Sequence, residues 1–220
     1  MVASTSTKPL NYYGIVLDES GSMHPTRSDT IGSLQSFHSE QQKEAHPASR
    51  FVVHTFNNDT QLRFNKYICD DISSMKYIPS GGTALYDAIQ TAISHAETTI
   101  SSMSEKPLTT TIIILTDGEE NASRECSVNT VKRLFSKYKE LGWQFIFLGA
   151  NQDAVTSGRS MGLDRGACLS FNQTPNAQYS AMRSVSNAVN RVNHMRSVNP
   201  SCETQCMFTD EERFDSIQLD

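Results

Sequence analysis

The 220-residue sequence contains no apolar run long enough to cross a bilayer as a helix, which excludes a spanning helix within it. It has no basic cluster either. Nineteen Lys and Arg stand against 24 Asp and Glu, for a net charge of -5, a poor match for nucleic acid or an anionic membrane surface. Its five cysteines (Cys69, Cys126, Cys168, Cys202, Cys206) are odd in number and scattered, so they outline no disulfide framework. The opening MVASTSTKPLN lacks the apolar core of a signal peptide. Free thiols and the missing export signal together predict a cytoplasmic protein. Internal repeats and low-complexity linkers are absent as well. What remains, 37% hydrophobic and 20% charged residues, is the composition of a globular domain.

Short apolar runs bounded by polar turns mark strands at 12–17, 50–56, 61–68, 110–116, 143–149 and 167–171. Helical periodicity lies between most of them. Residues 28–45 carry Ile31, Leu34, Phe37 and His38 on one side. Leu85, Ala88, Ile89, Ala92, Ile93, Ala96 and Ile100 form a continuous apolar face, as do Val128, Val131, Leu134, Phe135, Tyr138 and Leu141. A short helix is expected over 152–161. The alternation predicts an α/β fold: a doubly wound, mostly parallel six-stranded sheet with helices on both faces. The mixed strand 61–68 sits one tight turn after its predecessor and is expected as the antiparallel edge. A further helix over 176–196 shows the stripe Met182, Val185, Val189, Val192 and Met195, expected to close the sheet. Residues 1–9 read as a disordered leader, 10–172 as the domain, 173–199 as a helix packed on it, and 200–220 as a flexible tail.

In a parallel sheet, ligands sit beyond the carboxyl ends of the strands. Three polar signatures fall there. LDESGSM places Asp18, Ser20 and Ser22 after the first strand, PSGGTALYDA places Thr83 before a helix, and LTDGEEN places Asp117 after the fourth strand. Alternate positions at a sharp turn can aim at one point, and Gly21, Gly81, Gly82 and Gly118 relieve crowding around them. Hydroxyls and carboxylates without His or Cys suit a hard cation such as Mg2+ or Mn2+. Each signature alone is an ordinary turn, and Thr83 alone is an ordinary helix cap. Their force lies in falling together at strand ends, in this order.

IVLDESGSM, GGTALYDAI and IIILTDGEEN resemble, in type and place, the von Willebrand factor type A (vWA) domains with their metal-ion-dependent adhesion site. The likeness runs over about residues 10–172, and FIFLGANQDA resembles the fifth strand of intracellular bacterial and phage-type members. The resemblance implies a Rossmann-like fold and a metal site of Asp18, Ser20, Ser22, Thr83 and Asp117. Mg2+ is the expected ion, with Mn2+ or Ca2+ as alternatives. The serines and threonine would reach it directly and the aspartates largely through water, leaving a position for a carboxylate from a protein partner. By the same resemblance the partner is an AAA+ ATPase or a multiprotein complex, and the chain is not an enzyme.

Two alternatives compete. Phosphohydrolases of the haloacid dehalogenase type also place a nucleophilic aspartate after the first strand, here Asp18. They need a second acid two residues on, where this chain has Ser20. A scaffold binding through the helix 176–196 is the other. A zinc site at His194, Cys202 and Cys206 is one ligand short, and SGGTALYD lacks the spacing of a nucleotide-binding loop. Asp87, Glu119 and Glu120 are expected near the metal, with the two glutamates as a solvated loop or a selective rim.

Overall fold

The computed structural model describes residues 8–150 and 153–218. Six strands form one sheet: β1 (Asn11–Asp18), β2 (Arg50–Phe56), β3 (Thr60–Tyr67), β4 (Thr109–Thr116), β5 (Gln144–Ala150) and β6 (Cys168–Phe171). Their order is β3-β2-β1-β4-β5-β6, all parallel except the β2–β3 hairpin. Chain direction across the sheet reverses beside β1, so β1 and β4 lie side by side with their carboxyl ends at one edge.

The unbroken apolar runs have two destinations. Tyr13, Ile15 and Leu17 point to one face with Ile113, Leu115, Ile146 and Leu148. Tyr12 and Val16 point to the other with Ile112, Ile114, Phe145 and Phe147. A strand whose alternate side chains both enter a core must be apolar throughout, which explains the run TTIIILT. Helices α1 (Arg27–Glu44) and α5 (Pro175–Val198) cover the first face, and α2 (Leu85–Ser102), α3 (Val128–Glu140) and α4 (Ala154–Ser160) the second. The exposed, mixed strand β3 is the antiparallel edge. The helix expected over 152–161 is α4, with residue 152 outside the described residues.

Helix α5 differs from its sequence pattern at one end. Met182, Val185, Val189 and Val192 are buried at 3%, 0%, 0% and 1% exposure, but Met195 is 46% exposed. Spacings of three and four residues carry the inner stripe from Val192 to position 196, so Arg196 takes the slot expected for Met195. Gln178 donates to the Thr30 hydroxyl (2.8 Å) and ties α5 to α1.

Residues 200–218 carry more structure than the polar sequence suggested. Cys206 and Phe208 are buried, and α6 (Asp210–Gln218) follows. Thr209 and Glu212 form a reciprocal capping box: Glu212 N–H donates to Thr209 Oγ1 (3.2 Å) and Thr209 N–H to the Glu212 carboxylate (2.8 Å). Arg213 and Ser216 donate to the carbonyls of Cys168 and Ser170, both at 2.8 Å. These are carbonyls of the edge strand β6, so α6 blunts that edge.

Candidate metal centre

Asp18 ends β1 at 0% exposure. Its Oδ1 accepts from the Ser20 amide (2.7 Å) and its Oδ2 from the Thr116 hydroxyl at the end of β4 (2.5 Å). Burial pushes its carboxyl up to about 6, against the opposing pull of these hydrogen bonds. A carboxylate kept this dry gains from a neighbouring cation.

The chain then enters a 3-10 turn, Gly21–Met23, and the Gly21 amide donates to the Gly81 carbonyl (3.1 Å). Gly81 has φ +78°, a backbone that side-chain-bearing residues resist. The turn brings the Ser20 and Ser22 hydroxyls to 3.0 Å from each other, and Ser22 donates to Asp117 Oδ1 (2.6 Å). Gln173, leading into α5, donates to the other Asp117 oxygen (3.0 Å).

Thr83 arrives from a third direction. Its amide donates to Asn121 Oδ1 (3.0 Å), and its carbonyl accepts from the amides of Asn121 and Ala122. The preceding Gly82 amide is held by Asn58 Oδ1 (2.5 Å). Thr83 does not cap α2: the cap position is Ala84, and the first-turn amides of Tyr86 and Asp87 are held by Glu120 and Ser123. No protein group hydrogen-bonds the Thr83 hydroxyl among the described residues. That hydroxyl sits over Gly118, where a Cβ would stand 3.3 Å from Thr83 Oγ1 and 3.9 Å from Ser22 Oγ.

The five residues marked by the sequence therefore converge, and the donor set is three hydroxyls and two carboxylates. All are hard oxygens of the kind Mg2+, Mn2+ or Ca2+ prefer, and waters would complete the shell of an ion held here. The nearby acids have other tasks. Asp87 accepts from the amides of Arg124, Glu125 and Cys126, and Glu120 from those of Ala122 and Ser123. Both organise the loop after β4, while Glu119 is exposed. His194, Cys202 and Cys206 make no zinc site: the described residues hold no cluster of three or more His, Cys, Asp or Glu suited to a metal. Cys202 instead shares a hydrogen bond with the Thr204 hydroxyl (2.8 Å).

Sequence reasoning missed the residues that hold these five side chains still. Thr116 and Gln173 bond the two aspartates. Glu19, 2% exposed, turns away from the site to pair with Arg63 of β3 (2.9 Å) and to accept the Ile78 amide. Strand position alone signals Thr116. Gln173, Glu19 and Arg63 have no local motif.

Structures of known proteins share this fold. Proximal thread matrix protein 1 of the mussel byssus, solved with a zinc-occupied MIDAS motif, is 16% identical with a TM-score of 0.62, over 84% of this chain and 48% of that one. The vWF domain of the type V pili tip protein Mfa5 from Porphyromonas gingivalis is 12% identical with a TM-score of 0.62, over 84% and 96%. The ArnB paralog VWA2 from Sulfolobus acidocaldarius is 22% identical with a TM-score of 0.53, over 81% and 45%. The chain thus spans about half the length of the mussel protein. No curated protein matches it in sequence. The model of the von Willebrand factor type A domain matches residues 14–184, from within β1 to the middle of α5. All three signatures lie inside that match, Asp18, Ser20 and Ser22 after β1, Asp117 after β4 and Thr83 ahead of α2, on the sheet order just described, and the chain belongs to the von Willebrand factor type A domain family.

Proposed function

We propose that Asp18, Ser20, Ser22, Thr83 and Asp117 hold a divalent cation, Mg2+ in the first instance, and that this ion captures a carboxylate from a protein partner. Domains of this family are metal-dependent protein-interaction modules. The observation that carries the reading is the bridge made by Ser22. Its hydroxyl joins Ser20 at 3.0 Å to Asp117 at 2.6 Å, across 95 positions of sequence, beside the unbonded Thr83 hydroxyl. A cation placed among these oxygens would take their lone pairs in place of the hydroxyl hydrogen bonds that otherwise join them. Neutral hydroxyls leave much of its charge uncompensated, so an Asp or Glu from a partner is the favoured incoming ligand.

The same geometry argues against Asp18 as a nucleophile. Each of its oxygens already accepts a hydrogen bond and the side chain is fully buried, a setting that suits a fixed charge beside a cation better than in-line attack on a phosphoester. The chain acts as a binding module, without catalytic turnover.

The test is capture of partners in Mg2+ and in EDTA, by the wild-type chain and by Asp18→Ala. Metal-dependent capture by wild type alone, abolished when the partner's interface acids are changed to amides, is the expected result. Capture that is equal in EDTA or undiminished by those amides would refute the mechanism.

A further inference from the structure

At the opposite edge of the sheet, away from the metal residues, the last turn of α5 meets the end of α3 and the segment after Pro200. We propose that the cavity between them binds an oxyanion, a carboxylate or a phosphate group, through Arg196.

The argument starts from helical spacing. The inner stripe of α5 runs Val185, Val189, Val192 and then Arg196, so the fold drives a guanidinium inward where three valines precede it. Arg196 is 6% exposed. Its Nε is buried without a hydrogen-bond partner, and no carboxylate pairs with the side chain among the described residues. The partly buried arginines have other company: Arg63 has Glu19, Arg213 has three backbone carbonyls, and Arg50, whose Nε is also without a partner, donates to Asn65 and lies over the Tyr67 ring. A guanidinium at 6% exposure whose Nε has no acceptor is unfavourable unless something supplies one. Its place in the last turn of α5 sets it at the favourable end of the helix dipole, but that effect is weak beside the desolvation of an unpaired charge.

Arg196 lines a cavity of about 530 Å3, large enough for a small organic acid or a phosphorylated compound. One of its Nη atoms lies 3.7 Å from where a Cβ on Gly142 would stand, so the absent side chain there keeps the guanidinium reachable. Lys139 borders the cavity as a second cation, held by Asp164 at 2.8 Å. Two acids, Glu140 and Glu203, also line the cavity; both are exposed, and neither pairs with Arg196 among the described residues. A planar guanidinium prefers a bidentate oxyanion, which is the ligand class assigned here. The Cys202 thiol lines the same cavity and reports on its occupancy.

The experiment is thermal unfolding of the full chain in EDTA, with sodium phosphate, sodium succinate or sodium chloride at matched ionic strength. The expected result is a saturable rise in midpoint with phosphate or succinate and none with chloride. Whichever of the two acts more strongly identifies the group. Arg196→Gln should weaken the apparent Kd at least tenfold, with Arg196→Lys in between. A second readout uses Cys69→Ser, which removes the other accessible thiol: the saturating anion should slow iodoacetamide labelling of Cys202 at least threefold. If Arg196→Gln does not fold, this protection decides alone. No anion-specific shift in wild type, an unchanged Kd in Arg196→Gln, or unprotected Cys202 overturns the proposal.

Discussion

Removing α5 should unfold the domain, and the stripe facing the sheet sets the magnitude. Met182, Val185, Val189 and Val192 are each at most 3% exposed. Burial of such a side chain contributes on the order of 1.5–3 kcal/mol, so the four together contribute roughly 6–12 kcal/mol. The net stability of a typical domain is only about 5–15 kcal/mol. A chain ending at residue 172 should therefore aggregate or remain unfolded. Point changes test the same reasoning at smaller scale. Val189→Ala removes two methyl equivalents from a fully buried site, about 1.6 kcal/mol of transfer energy plus a cavity cost, for a total of about 2–3 kcal/mol. Met195→Ala, on the exposed side, should stay within about 0.5 kcal/mol. Urea denaturation monitored by circular dichroism measures all three. The reasoning fails if Val189→Ala costs under about 0.5 kcal/mol at unchanged slope, or if the 1–172 chain is monomeric and unfolds cooperatively.

Three further outcomes are expected. Burial lowers His54 to about 4, beside His95 at 5.0 Å between ring centres. The unfolded chain then binds the extra proton, so stability present above about pH 6.5 is lost as pH falls toward 4, by roughly 3 kcal/mol for this group. His54→Leu should flatten the denaturation midpoint over that range, and an unchanged pH profile would exclude His54 as the cause. Arg63→Met strands the buried Glu19 carboxylate and should destabilise by about 3 kcal/mol, with Arg63→Met/Glu19→Gln recovering part of the loss; equal loss in the single and double variants would show that the pair is not the source. Gly118→Ala presses a methyl against Thr83 Oγ1, so Mg2+ affinity should fall while the urea midpoint barely moves. Retained affinity would place Thr83 outside the shell.

Strand number, the antiparallel edge and both helical layers were legible because apolar runs and helical periodicity each have one favourable way to be buried. The convergence of Asp18, Ser20, Ser22, Thr83 and Asp117 was legible in part: β1 and β4 end side by side at one sheet edge and each signature carries its own local turn, but Thr83 reaches that edge by the long segment after the antiparallel β3 and not at a strand end. Supporting contacts were hidden. Glu19 and Gln173 act through Arg63 and Asp117, 44 and 56 positions away, and no local pattern encodes such pairs. At the end of α5 the apolar character of Met195 misled where helical spacing alone points to Arg196. Polar composition likewise masked α6, although the sequence TDEE carries the capping box that starts it.

Isothermal titration of Mg2+ into the wild-type chain and into Asp18→Ala, with folding of both checked by circular dichroism, tests the central claim most directly. One-site binding in wild type, weakened at least tenfold in Asp18→Ala without loss of fold, is the result predicted. Equal binding by the two folded chains, or no binding to wild type, would contradict it.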